Sequence, residues 1–311
     1  ESGSTLRFLM PLCMALGGQY NFICHGKLID RPNDELFSAM KSHGVNATKT
    51  DVITLSGKLT SGEYILRGDV SSQYVSGLLM ALPILDGDSQ ITLTTPLASA
   101  PYVDITIEVL KGYGVRIQPN EKGFFIKGNQ NYVGEVMPEG DWSNAAFLEA
   151  FNLIGGSVVL DGLKETSTQG DKIYREYFEE LKQGTPVLDI TDCPDLAPIL
   201  MTMATLLNGA VLKGTSRLKI KESDRGEVMK NELSKFSADI TVLEDEIIIK
   251  KADLKTPTEN ICGNNDHRIA MSLTVISSVF GGVIENAECV NKSYPLFFED
   301  CEKLNIKLKL K

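Results

Sequence analysis

"IAMSLTVISSVFGGVIENAE", residues 269–288, decides the fold in twenty residues. Its first twelve positions carry no charge on any side, and a helix without a polar face is an enclosed one. Two glycines then stop the helix, and a short run rich in β-branched residues follows. The same kind of apolar segment recurs in "RFLMPLCMAL" (7–16), "YVSGLLMALPIL" (74–85) and "APILMTMATLL" (197–207). Apolar runs close at Gly17-Gly18, Asp86-Gly87, Gly155-Gly156, Asn208-Gly209 and Gly281-Gly282, spaced by 69, 69, 53 and 73 residues, which marks an internal repeat of five copies.

Outward from each glycine the pattern continues. Strands are expected in "QITLTTPL" (90–97), "SVVLDGL" (157–163), "AVLKGTS" (210–216) and "GVIENAE" (282–288). A second, charged helix follows in "PNDELFSAMKSHG", "YVDITIEVLKGYG", "KIYREYFEELKQG", "DRGEVMKNELSKF" and "LFFEDCEKLN". Short strands close units in "GFFIKG", "EIIIKK" and "IKLKLK" (306–311). The strands alternate apolar with polar residues, as in a sheet with one wet face. Enclosed helices and outer sheets together predict an inverted α/β arrangement. At 311 residues two domains are expected, 1–138 and 139–311, with the boundary in the link "NYVGEVMPEGD" (131–141).

Composition narrows the function. A net charge of −10 lacks the positive field that nucleic acid or an anionic membrane attracts, so no partner of either kind is expected and any bound anion must be held locally. The apolar run at 269–284 is too short to span a bilayer. Six cysteines without a CxxC pair and three histidines argue against a metal site and for reduced thiols in a cytoplasmic setting. The opening words "ESGSTLRFLMPL" read as the middle of a longer chain.

Each enclosed helix is preceded by a polar knot, marked by Ser4, Ser71, Ser143, Asp195 and Asp266. Capping accounts for any one of them. Their repetition adds a second expectation: equivalent helix ends face one side, and converging N-termini bind phosphates or carboxylates. Arg7, Arg31, Arg225, Arg268 and Lys292 stand at such ends or just after strands, and a guanidinium fork suits an anion in two-point contact. "KESDR" (221–225) and "DHR" (266–268) add carboxylates and an imidazole suited to proton transfer.

In order and spacing, "SGSTLR", "DRP", "DVSSQY", "SAPYVDIT", "EGDWSNAA", "TQGD", "PDLAP", "KESDR" and "NDHRIAM" resemble the 5-enolpyruvylshikimate-3-phosphate synthase family over the whole chain. The resemblance implies a two-domain inside-out α/β barrel of repeated units and transfer of the enolpyruvyl group of phosphoenolpyruvate to the 5-hydroxyl of shikimate 3-phosphate, with release of phosphate. That is a step of aromatic amino acid biosynthesis in the shikimate pathway, run by a cytoplasmic monomer without metal or redox cofactor. It further implies that Ser71, Ser72, Gln73, Ser99, Tyr102, Asp195 and Lys221 bind shikimate 3-phosphate. Gly3, Arg31, Gln73, Arg225, Arg268 and Lys292 would bind phosphoenolpyruvate. Asp195 would hold the attacking hydroxyl, Glu222 would transfer protons and His267 would hydrogen-bond at the reacting centre. Closure of two domains around the substrates would exclude water. The family has six repeats and an early lysine-serine-arginine segment that this sequence lacks. Phe8 stands where plant and enterobacterial members have proline, and Arg217 where many carry a small or amide residue. Two other readings stand beside this one: the UDP-N-acetylglucosamine enolpyruvyl transferase, whose loop cysteine corresponds to Gly26 here, and a fragment that binds substrate without turnover.

Overall fold

A computed structural model describes residues 2–309, and the chain divides into two compact units, Glu1–Pro138 and Glu139–Lys311. In unit 1 the elements run α1 (Gly3–Leu16), β1 (Gly18–Ile23), α2 (Asp34–Lys41), β2 (Val45–Lys49), β3 (Val52–Gly57), β4 (Glu63–Leu66), α3 (Ser72–Ala81), β5 (Ser89–Leu93), α4 (Ala100–Gly112), β6 (Ile117–Asn120) and β7 (Gly123–Ile126). They form an antiparallel sheet β1-β3-β2 and a mixed sheet β4-β5-β7-β6, in which only β4 and β5 are parallel. Parallel neighbours need a crossover, and α3 supplies it. As the crossover it is sealed in: eight of its ten residues are buried, and it packs on α1 and α4. Gly77 permits the close approach to α1, because a Cβ there would run into the Arg7 carbonyl.

Unit 2 repeats the plan with α5 (Trp142–Leu153), α6 (Tyr174–Gln183), β8 (Val187–Asp189), α7 (Ala197–Leu206), β9 (Gly209–Lys213), α8 (Arg225–Ser234), β10 (Asp239–Val242), β11 (Glu246–Lys250), β12 (Ile261–Cys262), α9 (His267–Phe280), β13 (Ile284–Glu285) and α10 (Phe297–Lys303). Helix α7 crosses between the parallel strands β8 and β9, and α9 between β12 and β13. Nine of ten residues of α7 and the first ten of α9 are buried. Strand β11 buries Ile247 and Ile249 and leaves Lys250 exposed, so its sheet shows one face to water. Each unit therefore has helices within and sheets without. Among the described residues no helix is long and apolar enough to cross a membrane.

Two expected strands do not form among the described residues. "SVVLDGL" forms no strand, because the Asn152 side chain takes both backbone groups of Val158: Val158 N–H donates to Asn152 Oδ1 at 2.6 Å and Asn152 Nδ2 donates to the Val158 carbonyl at 2.9 Å. A side-chain amide thus replaces a strand neighbour. Of "IKLKLK", residues 306–309 run without strand pairing after the left-handed turn at Asn305, while Ile306 and Leu308 pack on the unit 2 core. Leu310 and Lys311 lie outside the described residues.

Candidate active site

Helix starts meet in each unit, and the knots that mark them do more than cap. Ser2, not Ser4, caps α1; Asp141, not Ser143, caps α5; Ser71 stands at the N-cap of α3 without a side-chain capping bond. Asp195 lies in the 3₁₀ turn ahead of α7. Asp266 does cap α9, accepting from Arg268 N–H at 3.0 Å. Groups spared from capping are free for other contacts.

In unit 2 those contacts centre on Arg225, whose side chain is only 1% exposed. Its Nε donates to Asp266 Oδ2 at 2.9 Å, Nη1 to Asp195 Oδ1 at 2.7 Å and Nη2 to Glu222 Oε2 at 2.8 Å. Ser223 Oγ adds a bond to Asp266 Oδ2 at 3.1 Å. Asp195 in turn gathers cations: Lys221 Nζ lies 3.2 Å from Oδ1 and Arg268 Nη2 lies 2.9 Å from Oδ2. Ser143 Oγ accepts from Arg268 Nη1, which ties the start of α5 to the start of α9. Lys292 donates to the Asn265 carbonyl at 2.8 Å, next to Asp266 in the chain. Asp195, Lys221, Glu222, Arg225, Arg268 and Asp266 are thus one network, with Lys292 at its edge.

Charge decides its chemistry. Burial pushes the Asp195 carboxyl up, but Arg268, Lys221 and Arg225 outweigh burial and hold it well below the usual carboxylate range. Burial pulls the Lys221 ammonium down, with Asp195 opposing. The Arg225 guanidinium is raised well above its ordinary value, since Asp266, Glu222 and Asp195 outweigh its desolvation. Burial, reinforced by Arg268, lowers the His267 imidazole to about 4. At neutral pH that ring is uncharged, and its buried Nδ1 has no hydrogen-bond partner among the described residues. The site therefore offers cations for an anion, ionised carboxylates for protons and a neutral ring for hydrogen bonding.

In unit 1 the predicted residues fall around Arg7. Its Nη1 donates to Gln73 Oε1 at 2.7 Å, Nε to Asn33 Oδ1 at 3.1 Å and Nη2 to the Pro32 carbonyl at 2.9 Å. Gly3, one turn earlier on α1, lies under Arg31: a Cβ there would come 2.5 Å from Arg31 Nη1. Ser71 and Ser72 are buried at the start of α3. Ser99, buried and left-handed at φ 57°, precedes α4, which carries Tyr102 in its first turn. The loops before α3 and α4 are tied by Gly68 N–H to Thr95 Oγ1 at 2.9 Å and Ala98 N–H to the Gly68 carbonyl at 3.1 Å.

Sequence reading left some members of these networks without a role. Asn33 and Ser223 were missed, Ser143 and Asp266 were read as helix-start groups only, and Arg7 was noticed without a partner. Ser223 sits inside "KESDR" and Ser143 inside "EGDWSNAA", so position in a motif was the available signal; Asn33 carried none.

The fold is that of the enolpyruvyl transferases: the structure superposes on EPSP synthase from Acinetobacter baumannii with a TM-score of 0.76, at 22% identity, over 99% of this chain and 78% of that one. The enolpyruvyl transferase NikO from Streptomyces tendae matches with a TM-score of 0.71 at 13% identity, over 97% of this chain and 76% of that one. The family model described as EPSP synthase (3-phosphoshikimate 1-carboxyvinyltransferase) matches residues 1–301, and the chain belongs to that family. A 3-phosphoshikimate 1-carboxyvinyltransferase from Clostridium kluyveri is 42% identical over 98% of this chain and 77% of its own length. One from Clostridioides difficile is 38% identical over 98% and 75% respectively.

Proposed function

We propose that this chain transfers the enolpyruvyl group of phosphoenolpyruvate to the 5-hydroxyl of shikimate 3-phosphate and releases phosphate. Family membership supports the reaction, and one observation carries the assignment of residues: a single carboxylate, Asp195, contacted by Lys221, Arg225 and Arg268. The chemistry needs a proton delivered to the methylene carbon of phosphoenolpyruvate and a bond from the hydroxyl oxygen to its C2. The C–O bond to phosphate then breaks, and a methyl proton leaves to restore the double bond. Glu222 is the proton donor and acceptor at carbon in this reading, and Asp195 takes the hydroxyl proton. Lys221, Arg225, Arg268 and Lys292 hold the phosphate and carboxylate of phosphoenolpyruvate and the anionic shikimate ester. His267, neutral, hydrogen-bonds at the reacting centre.

In unit 1, Ser71, Ser72, Gln73, Ser99 and Tyr102 take shikimate 3-phosphate, while Gly3, Arg31 and Gln73 take phosphoenolpyruvate. The working form is a cytoplasmic monomer acting on these two small molecules without a metal or redox cofactor. The test is phosphate release measured with both substrates, with each alone, and with UDP-N-acetylglucosamine in place of the shikimate ester. Release that requires shikimate 3-phosphate supports the reading. Release with the sugar nucleotide favours the other enolpyruvyl transfer, and calorimetric binding of shikimate 3-phosphate without any release leaves a binding protein.

A further inference from the structure

We propose that Arg7 is a positioning residue that sets the side-chain amide of Gln73 and the loop carrying Arg31 in one fixed orientation for the anionic substrate. The roles of Gln73, Gly3 and Arg31 rest on the function proposed above; that of Arg7 rests on geometry no family motif assigns.

A guanidinium has five N–H donors and no acceptor, so whatever faces it must present oxygen. Gln73 does so, with Oε1 2.7 Å from Arg7 Nη1. Its amide cannot flip without setting an NH₂ against a guanidinium, and Nε2 is left as an outward donor with no partner among the described residues. Gln73 is partly exposed between buried neighbours Ser72 and Tyr74, so this donor is one the start of α3 offers to a ligand beside the hydroxyls of Ser71 and Ser72. The second contact works in the same way. Asn33, 1% exposed, turns Oδ1 to Arg7, and its Nδ2 then donates to the Arg31 carbonyl at 3.2 Å. Pro32 between them gives its carbonyl to Arg7 Nη2 at 2.9 Å and to the Tyr74 hydroxyl at 2.6 Å. The Tyr74 ring lies beneath the guanidinium, 5.3 Å from Cζ to centroid. One buried side chain on α1 thereby fixes a backbone segment of three residues, 31–33, and the N-terminal amide of α3. Gly3 and Arg31 meet one helical turn away on the same α1. Lysine carries the charge but cannot span three acceptors in a plane.

The experiment compares the wild-type chain with Arg7→Lys, Gln73→Met and the double variant. If Arg7 acts through Gln73 and the Arg31 loop, Arg7→Lys raises KM for phosphoenolpyruvate about tenfold with a smaller effect on kcat, and raises it several-fold less once Gln73 is methionine and only the loop is left for Arg7 to hold. A merely structural role lowers the melting temperature and the active fraction, hence kcat, and leaves KM in place; that result, or losses that multiply in the double variant, overturns the inference. The ordering of Gln73 is read separately from the NMR order parameter of its side-chain amide, assigned by its loss in Gln73→Met. It is rigid in the wild type and falls in Arg7→Lys if the inference holds, and equal values overturn it. This readout needs no turnover. A wild-type chain that releases no phosphate therefore sinks the proposed function alone, while the order parameter still decides the role of Arg7.

Discussion

Both units bury an arginine beside the start of an enclosed helix, and the side-chain contacts described for the two differ in kind. Arg7 is anchored to two amide oxygens and a carbonyl, Arg225 to three carboxylates. Neutral acceptors fix geometry through direction alone. Carboxylates fix it more strongly, as charge-assisted bonds do, and they also compete for the cation with any anion that enters. In unit 2 the competitor is Asp195, which contacts Arg225, Arg268 and Lys221 at once. On the proposed function an incoming phosphate would loosen that carboxylate from its cations, and loosening would raise its proton affinity from well below the usual carboxylate range. Binding and base activation are then the same event.

The largest expected effect follows from this. Asp195→Asn removes the proposed base and should cut phosphate release by about 10² to 10⁴-fold. It also removes the competitor, so phosphoenolpyruvate should bind more tightly than to the wild type, as read by titration calorimetry. Glu222→Gln removes the carboxylate that pairs with Arg225 Nη2, not one shared by three cations as Asp195 is, and should tighten binding less. Weaker binding to the Asn variant would break the idea of competition.

Stability supplies the next contrast. Removing Arg225 leaves Asp266, which has no exposure, as an uncompensated buried charge. Arg225→Met should cost about 3–5 kcal/mol in urea unfolding. Arg7→Met leaves one fully buried oxygen unsatisfied, Asn33 Oδ1, because Gln73 is partly exposed and the Pro32 carbonyl keeps the Tyr74 hydroxyl, at a cost of roughly 1–3 kcal/mol. A larger loss from Arg7→Met would reverse the comparison between carboxylate and neutral anchoring.

The two anchors also differ in how legible they were. Helices without a polar face announced the buried layer, and the glycine-closed repeat announced the plan of the units, because burial and turn chemistry act on neighbouring residues. The network in unit 2 was legible in outline, since charges concentrate in "KESDR" and "DHR". What was not legible was pairing. Asp266 reads as a cap because capping is local; its second role depends on Arg225, 41 residues away. Asn33 reaches Arg7 across 26 residues as an unremarked amide. The failed strand at 157–163 belongs to the same class: β-branched composition favoured pairing, and the Asn152 side chain took the backbone groups instead.

Acid sharpens the contrast further. The folded pKa of His267, about 4, is below its unfolded value of about 6.5. The unfolded chain therefore takes up the proton first. The stability held by the neutral ring is complete above pH 6.5 and is lost as pH falls toward 4, by roughly 3 kcal/mol at most. Asp195, also lowered, contributes stability above about pH 4 that is lost only in stronger acid. His267→Phe should flatten the pH dependence of unfolding between 6.5 and 4 without altering it below. An unchanged slope would mean that the ring is solvated as it protonates.

The smallest effect tests unit 1 through Gly3. An added Cβ would come 2.5 Å from Arg31 Nη1 and 2.9 Å from Cζ, and these atoms end a flexible side chain. The guanidinium can give way, so folding should be nearly indifferent to Gly3→Ala: the melting temperature should stay within about 2 °C, or rise, since alanine is the better helix former. Arg31 cannot both give way and keep its place. KM for phosphoenolpyruvate should therefore rise several-fold, about 1 kcal/mol, with shikimate 3-phosphate affinity preserved. Loss confined to phosphoenolpyruvate would locate the role of Gly3 in seating Arg31. An equal loss for both substrates would assign the glycine to the shape of α1, and the neutral anchoring of unit 1 would then matter for the helix rather than for the anion.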